Sequence, residues 1–204
     1  MPSEAVLAFD TSGGWCAVAL LRRGRVLAHQ HEVMARGQGE RLFAVIEAAM
    51  AEAGTGWRDL AAIGVGTGPG NFTGIRIGVA AARGLALGLG IPAIGIDRFA
   101  ALALDGPDLP ALVPAPRGQA WMARPGATPM QVDPAALPGP GPIAIADPAE
   151  FPGLAARPPA HGLAIAIARL AEARRHAPQP RPAPLYLRPA DAAPSADAAP
   201  AMLD

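Results

Sequence analysis

"AVLAFDTSGGWCAVALLRRGRVLAHQHEV", Ala5 to Val33, holds three apolar runs. AVLAFD is short and continuously apolar, like a buried strand. CAVALLRR and RVLAHQHEV follow, separated by a turn at Gly24, so the stretch predicts three consecutive antiparallel strands. Downstream, GERLFAVIEAAMAEAG places Leu42, Val45, Ile46, Ala49 and Ala53 on one helical stripe, and Gly54 stops it. AAIGVGTG reads as a fourth strand. TGIRIGVAAARGLALGLG reads as a second helix, with Thr73 as N-cap and its end at Gly90 ahead of Pro92. PAIGID is a fifth strand, and Asp97 caps a short third helix, RFAALAL.

The resulting order is β-β-β-α-β-α-β-α. A doubly wound dinucleotide fold opens β-α-β, so three leading strands argue against it. A meander followed by alternating helix and strand is the layout of the ribonuclease-H-like half-domain used by actin and sugar kinases. The class is therefore α/β.

Composition changes near Asp105. Residues 1–104 hold three prolines (Pro2, Pro69, Pro92) and the remainder holds 21 of the 24. Proline fixes φ and removes a donor, so helices and central strands cannot dominate the second half. The expected division is an N-terminal domain over 1–104, a smaller Pro-rich domain over 105–190 and a low-complexity tail over 191–204.

The 17 basic residues balance 17 acidic ones, and every basic residue is arginine. A neutral chain has no electrostatic footprint for gripping nucleic acid by itself. The absence of lysine excludes a P-loop, a kinase strand lysine and a Schiff base. Cys16 is the single cysteine, which excludes an intramolecular disulfide, and its place in CAVALL predicts a core residue. The N-terminus lacks the pattern of a signal peptide, and Ile75–Ile91 is interrupted by Arg76 and Arg83, which argues against a membrane span. The cytoplasm is the expected location.

Between Gly64 and Gly78 the chain reads GVGTGPGNFTGIRIG. The dinucleotide pattern fails because Asn71 stands where the third glycine belongs, and the Walker pattern fails for want of lysine. Two readings remain. The loop can hold an anion at the helix N-terminus, with Asp10, Thr11, Gly68 and Gly70 as a vestigial phosphate site. Alternatively, it is a tight turn whose glycines let two backbones come close, and Asp10 closes an Asx-type turn. The second is favoured. His29 and His31 share one face of a strand and could chelate, but no third ligand is evident, so a solvated face is the simpler reading. No metal site and no catalytic constellation emerges.

The helix after the loop is apolar nearly all round, with small residues at Gly74 and Gly78 and again at Ala80, Gly84 and Gly88. Such a helix must be covered on both sides, and its notches suit close approach of another helix. On the first helix Phe43 and Met50 flank Glu47, a shoulder of the kind enriched at interfaces. The candidate partner interface is Phe43, Glu47, Met50, Gly74, Arg76, Gly78, Ala80, Gly84 and Gly88.

AFDTS…CAVAL at the start, GTGPGNFTGIRIG in the middle and PLYLRP near the end resemble the TsaB (YeaZ) family. That resemblance implies an actin-like (ASKHA) fold with a degenerate C-terminal half. It implies a subunit without catalytic competence of its own. Such a subunit pairs with a TsaD-like enzyme through helices falling here on 39–53 and 74–89, and it also self-associates. With a TsaE-like ATPase, the complex attaches threonylcarbamoyl to N6 of adenosine 37 in tRNAs reading ANN codons. ATP and metal are then expected on the partner, none bound by this chain alone, and tRNA is met only through the complex. Where relatives read DARRGEVY this chain has PAPRGQAW, with Pro114 for Asp and Trp121 for Tyr. The rival reading is an actin-like ATPase or kinase using Asp10 and the Gly66–Gly70 loop. A metallopeptidase is argued against by the absence of H-x-x-x-H and H-E-x-x-H.

Overall fold

A computed structural model describes residues 4–137 and 141–187. The tail expected over 191–204 lies outside the described residues.

The first sheet is built as the opening stretch predicts. β1 (Ala5–Asp10), β2 (Trp15–Arg22) and β3 (Arg25–Val33) pair antiparallel in sequence. β4 (Leu60–Gly66) then pairs parallel with β1, and β5 (Ala93–Ile96) parallel with β4, giving the order β3-β2-β1-β4-β5. β1 is apolar at nearly every position because both faces are covered, as a central strand requires. Leu7, Phe9, Val18 and Leu20 meet α1 (Gln38–Glu52) and α2 (Phe72–Leu89) on one face. Val6, Ala8, Ala19 and Leu21 meet α3 (Arg98–Ala103) and α4 (Leu163–Arg174) on the other.

α2 is long and apolar enough to cross a membrane by length and composition. Its inner face, Ile75, Val79, Ala82 and Ala86, is nevertheless buried on this sheet, so it is a core helix. Its N-cap is Asn71, whose side chain accepts from the Gly74 N–H at 2.8 Å, and not Thr73. Asn71 precedes the first helical residue, Phe72, and its carboxamide oxygen reaches a free N–H of the first turn.

The second sheet has the order β10-β9-β6-β7-β8. Its strands are β6 (Ala111–Pro114), β7 (Ala120–Ala123), β8 (Met130–Val132), β9 (Ile143–Ala144) and β10 (Ala156–Arg157), none longer than four residues. Leu112, Met122, Ile145 and Phe151 form a small core of their own beneath it. The expected grouping of 105–190 into one smaller unit meets a difference. After the second sheet the chain returns as α4, which packs on β1, β2 and β4 of the first sheet. Residues 160–177 are free of proline, and Ala164, Ile165, Ala166, Ile167 and Ala168 are all buried. The apolar far face of the first sheet needs that cover.

Candidate functional site

Two places follow from this frame: the glycine loop at the ends of β1 and β4, and the outer faces of α1 and α2.

At the loop, the turn after β1 is folded into the glycines. Asp10 is 2% exposed. Its Oδ2 accepts from the Trp15 Nε1–H at 2.7 Å, the Ser12 hydroxyl at 3.0 Å and the Ser12 N–H at 3.3 Å. Thr11 Oγ1 donates to the Gly74 carbonyl at 2.7 Å, and the Asn71 N–H donates to the Ser12 carbonyl at 2.7 Å. A methyl group on Gly70 would overlap the Ser12 carbonyl, and one on Gly74 the Thr11 carbonyl. Gly68 has φ +87°, which favours glycine. Of the four candidate residues, Asp10 and Thr11 pack on Gly66 and Gly74, Gly70 packs on Ser12, and Gly68 faces Ile75. The turn after β1 packs against the loop glycines, and the Asp10 carboxylate is held by an indole and a serine. The loop glycines serve close approach of two segments of the same chain.

That geometry corrects part of the candidate interface. Gly74 and Gly78 face inward: a Cβ on Gly78 would come 2.7 Å from Thr11 Oγ1, and both glycines are buried. Met50 is 5% exposed and belongs to the core beside Leu42, Val45 and Ile46, because it lies one position on from Ala49 on the inner stripe. Arg76 is engaged within the chain. Its guanidinium lies 3.8 Å from the Phe72 ring centroid, and its Nε–H donates to the Tyr186 hydroxyl at 2.7 Å.

The remaining candidates do share an open face. Phe43 is 46% exposed and Glu47 is exposed on α1, while Ala80, Gly84 and Gly88 are exposed on α2. Methyl groups on Gly84 or Gly88 would meet nothing within 4 Å. Between the two helices runs a groove of about 520 Å³, lined by Phe43, Trp57, Ala80, Gly84, Leu85 and Gly88. Leu87 stands beside it, 87% exposed. Sequence reasoning does not place Trp57, Leu87, Phe72 or Tyr186 in the interface. Leu87 was findable, since it lies three residues after Gly84 on the same flank. Tyr186 lies in the PLYLRP motif, but its stacking on Phe72 is not legible there, because it joins segments more than a hundred residues apart.

His29 and His31 line a cleft of about 330 Å³ together with Trp15, Asp147 and His161. No group of three or more potential metal ligands occurs among the described residues. Burial lowers the pKa of His29, with a smaller contribution from His31. Cys16 is fully buried, and desolvation pushes its thiol up to about 11, as befits a core residue.

The first sheet, in the order 3-2-1-4-5 with helices on both faces, is the ribonuclease-H-like unit of the actin-like (ASKHA) fold, followed by a reduced second unit. Comparison with known proteins gives the family. Residues 25–122 match the family model described as TsaD, tRNA N6-adenosine threonylcarbamoyltransferase. A Haemophilus influenzae protein named tRNA threonylcarbamoyladenosine biosynthesis protein TsaB is 40% identical over 103 residues, which take in 50% of this chain and 43% of that protein. An uncharacterized Mycobacterium tuberculosis protein is 36% identical over 203 residues, covering 95% of this chain and 96% of that one. A solved Pseudomonas aeruginosa structure, described as an uncharacterized protein with similarity to the peptidase YeaZ, superposes with a TM-score of 0.72. It is 26% identical, and the superposition covers 91% of this chain and all of that one. The chain belongs to the TsaB (YeaZ) family, although its match to the TsaB protein above spans less than half of that protein's length.

Proposed function

We propose that this chain is a non-catalytic subunit that pairs with a TsaD-like enzyme through the outer faces of α1 and α2. In doing so it supports formation of N6-threonylcarbamoyladenosine at position 37 of tRNAs reading ANN codons. The observation that carries the reading is an open, apolar, glycine-notched helix pair in a chain whose residues 25–122 match the enzyme's own family model. The matched span includes both helices. The enzyme therefore offers a counterpart of the same pair, and two such surfaces can meet about a pseudo-two-fold axis, as isologous surfaces do. Ala80, Gly84 and Gly88 let the backbones approach, while Phe43 and Leu87 supply apolar area.

Pairing would act by favouring the enzyme's competent arrangement, which requires contacts made preferentially in that state. ATP and metal belong to the partner in this reading. A TsaE-like ATPase joins the complex, tRNA is met through it because this chain has net charge zero, and the setting is the cytoplasm. Self-association would use the same face when the enzyme is absent. The filled loop around Asp10 supports this reading over an ATPase or kinase.

The test is modified-adenosine formation by a reconstituted TsaD-like enzyme and TsaE-like ATPase, with and without this chain, alongside hydrogen exchange on residues 80–89. The reading expects product only with the chain present, and slowed exchange on 80–89 upon mixing. Full activity without the chain would refute it.

A further inference from the structure

The two stretches GNFTGIRIG and PLYLRP, far apart in the sequence, meet on the surface. Past α4 the chain runs without helix or strand over residues 178–187. Pro182 lies against Gly95 of β5, and the Leu185 N–H donates to the Thr67 carbonyl at 2.8 Å. These ties set Tyr186 beside the first turn of α2. Its ring stacks on Phe72 with centroids 5.2 Å apart, and its hydroxyl accepts from Arg76 Nε at 2.7 Å. The Arg76 guanidinium lies 3.8 Å from the Phe72 centroid and 5.7 Å from that of Tyr186.

This cluster fixes Arg76 without burying it. Arg76, Phe72 and Tyr186 are all exposed. Among the described residues, the terminal nitrogens of Arg76 have no hydrogen-bond acceptor and no carboxylate partner. Phe72, Arg76, Ala80, Gly84 and Gly88 are spaced by four, so they run along one flank of α2. The last three line the groove with Phe43. Among the described residues, Phe43, Phe72, Leu87 and Tyr186 bring exposed apolar area to this flank, while Val33 and Met130 lie on other elements. The cluster therefore continues the α1–α2 face past the first turn of α2.

We propose that Arg76 is the charged anchor of this face, taking a carboxylate of the TsaD-like partner, and that Tyr186 is its positioning residue. The inference rests on the pairing proposed above and adds the segment 182–187 to its surface. A guanidinium bonded through Nε keeps both terminal nitrogens for a carboxylate, in the fork geometry that arginine offers and lysine does not. Because two rings and a hydroxyl already hold the side chain, part of the ordering cost of binding is met in the free chain. The rings also keep water from one side of the guanidinium, which strengthens its attraction to an acid. A protein carboxylate suits the site better than a nucleic-acid phosphate, because the chain is neutral overall and Arg76 stands among apolar groups. The charge gives the apolar groove a fixed orientation for its partner.

The test is titration calorimetry of a purified TsaD-like enzyme with the full chain, at low and high sodium chloride. Arg76→Gln is expected to weaken binding by about tenfold or more at low salt and to flatten its salt dependence. Arg76→Lys keeps the charge, so it should restore the salt dependence but not the full affinity. Tyr186→Phe keeps the ring and loses the acceptor, and is expected to weaken binding by about threefold. The double variant Arg76→Gln, Tyr186→Phe should bind no worse than Arg76→Gln alone, because the hydroxyl acts through the guanidinium. Wild-type affinity in Arg76→Gln, with Gly84→Leu weakened, would overturn this inference and leave the pairing standing. A loss in Arg76→Gln that is equal at both salt concentrations would overturn it too, and additive losses in the double variant would remove the positioning role of Tyr186. No binding by the wild type would refute the pairing itself, and the anchor with it.

Discussion

Two glycines on α2, ten residues apart, should respond to the same substitution with opposite signs. At Gly84 a methyl group meets nothing within 4 Å, so Gly84→Ala is a pure helix-propensity change. It should stabilise the monomer by up to about 1 kcal/mol. At Gly74 the same methyl overlaps the Thr11 carbonyl. Pushing the turn away costs about 1–3 kcal/mol as overpacking. It also loosens the bonds from Thr11 to Gly74 and from Asn71 to Ser12, each worth about 0.5–1.5 kcal/mol. After subtracting the propensity gain, Gly74→Ala should lose about 1–5 kcal/mol. Urea unfolding followed by circular dichroism reads both: the midpoint should fall for Gly74→Ala and hold or rise for Gly84→Ala, with the slope unchanged. In thermal melts each kcal/mol is worth about 2–4 °C for a chain of this size. A Gly74→Ala protein as stable as wild type would refute the reasoning that the loop glycines exist for close approach within the chain.

Further outcomes can be checked the same way. Asn71→Ala removes the N-cap of α2 and should cost about 1 kcal/mol in urea unfolding. Trp15→Phe keeps the ring but deletes the donor to the buried Asp10 carboxylate, and should cost about 1.5–3 kcal/mol by the same assay. The Cys16 thiol, raised to about 11, is almost wholly neutral at pH 8, so iodoacetamide should label the native protein at least about a hundred times more slowly than the urea-unfolded chain. Its folded value lies above the unfolded one. The stability it contributes is therefore complete below about pH 9 and is lost as pH rises towards 11, which a pH series of melts would show.

The N-terminal half is legible because its local signals agree. Alternating apolar runs, the turn at Gly24, the stop at Gly54 and the cap at Asp97 fix element type and order, and β3 occupies the expected residues Arg25–Val33. What local patterns could not say is which flank of α2 faces inward. Gly74 and Gly78 look like Gly84 and Gly88 in the sequence. They differ because the turn after β1 reaches the first two, a contact spanning more than sixty residues. Met50 falls on the core side for a related reason: the inner stripe of α1 is wide enough to take in the residue after Ala49. α4 is hidden in the sequence because the proline density of the second half as a whole masks a proline-free stretch around Leu163–Arg174. The buried ion pair of Arg98 with Glu150 joins elements 52 residues apart and leaves no mark in either neighbourhood.

The most direct test of the account is titration calorimetry of a purified TsaD-like enzyme with the wild-type chain and with Gly84→Leu. Gly84 has open space around it, so the variant should fold and melt no lower than wild type. A leucine in the notch should nevertheless weaken one-to-one binding by about tenfold or more, as a clash of about 1.4 kcal/mol or more does. Equal affinities for the two proteins would contradict the claim that this helix face seats the partner.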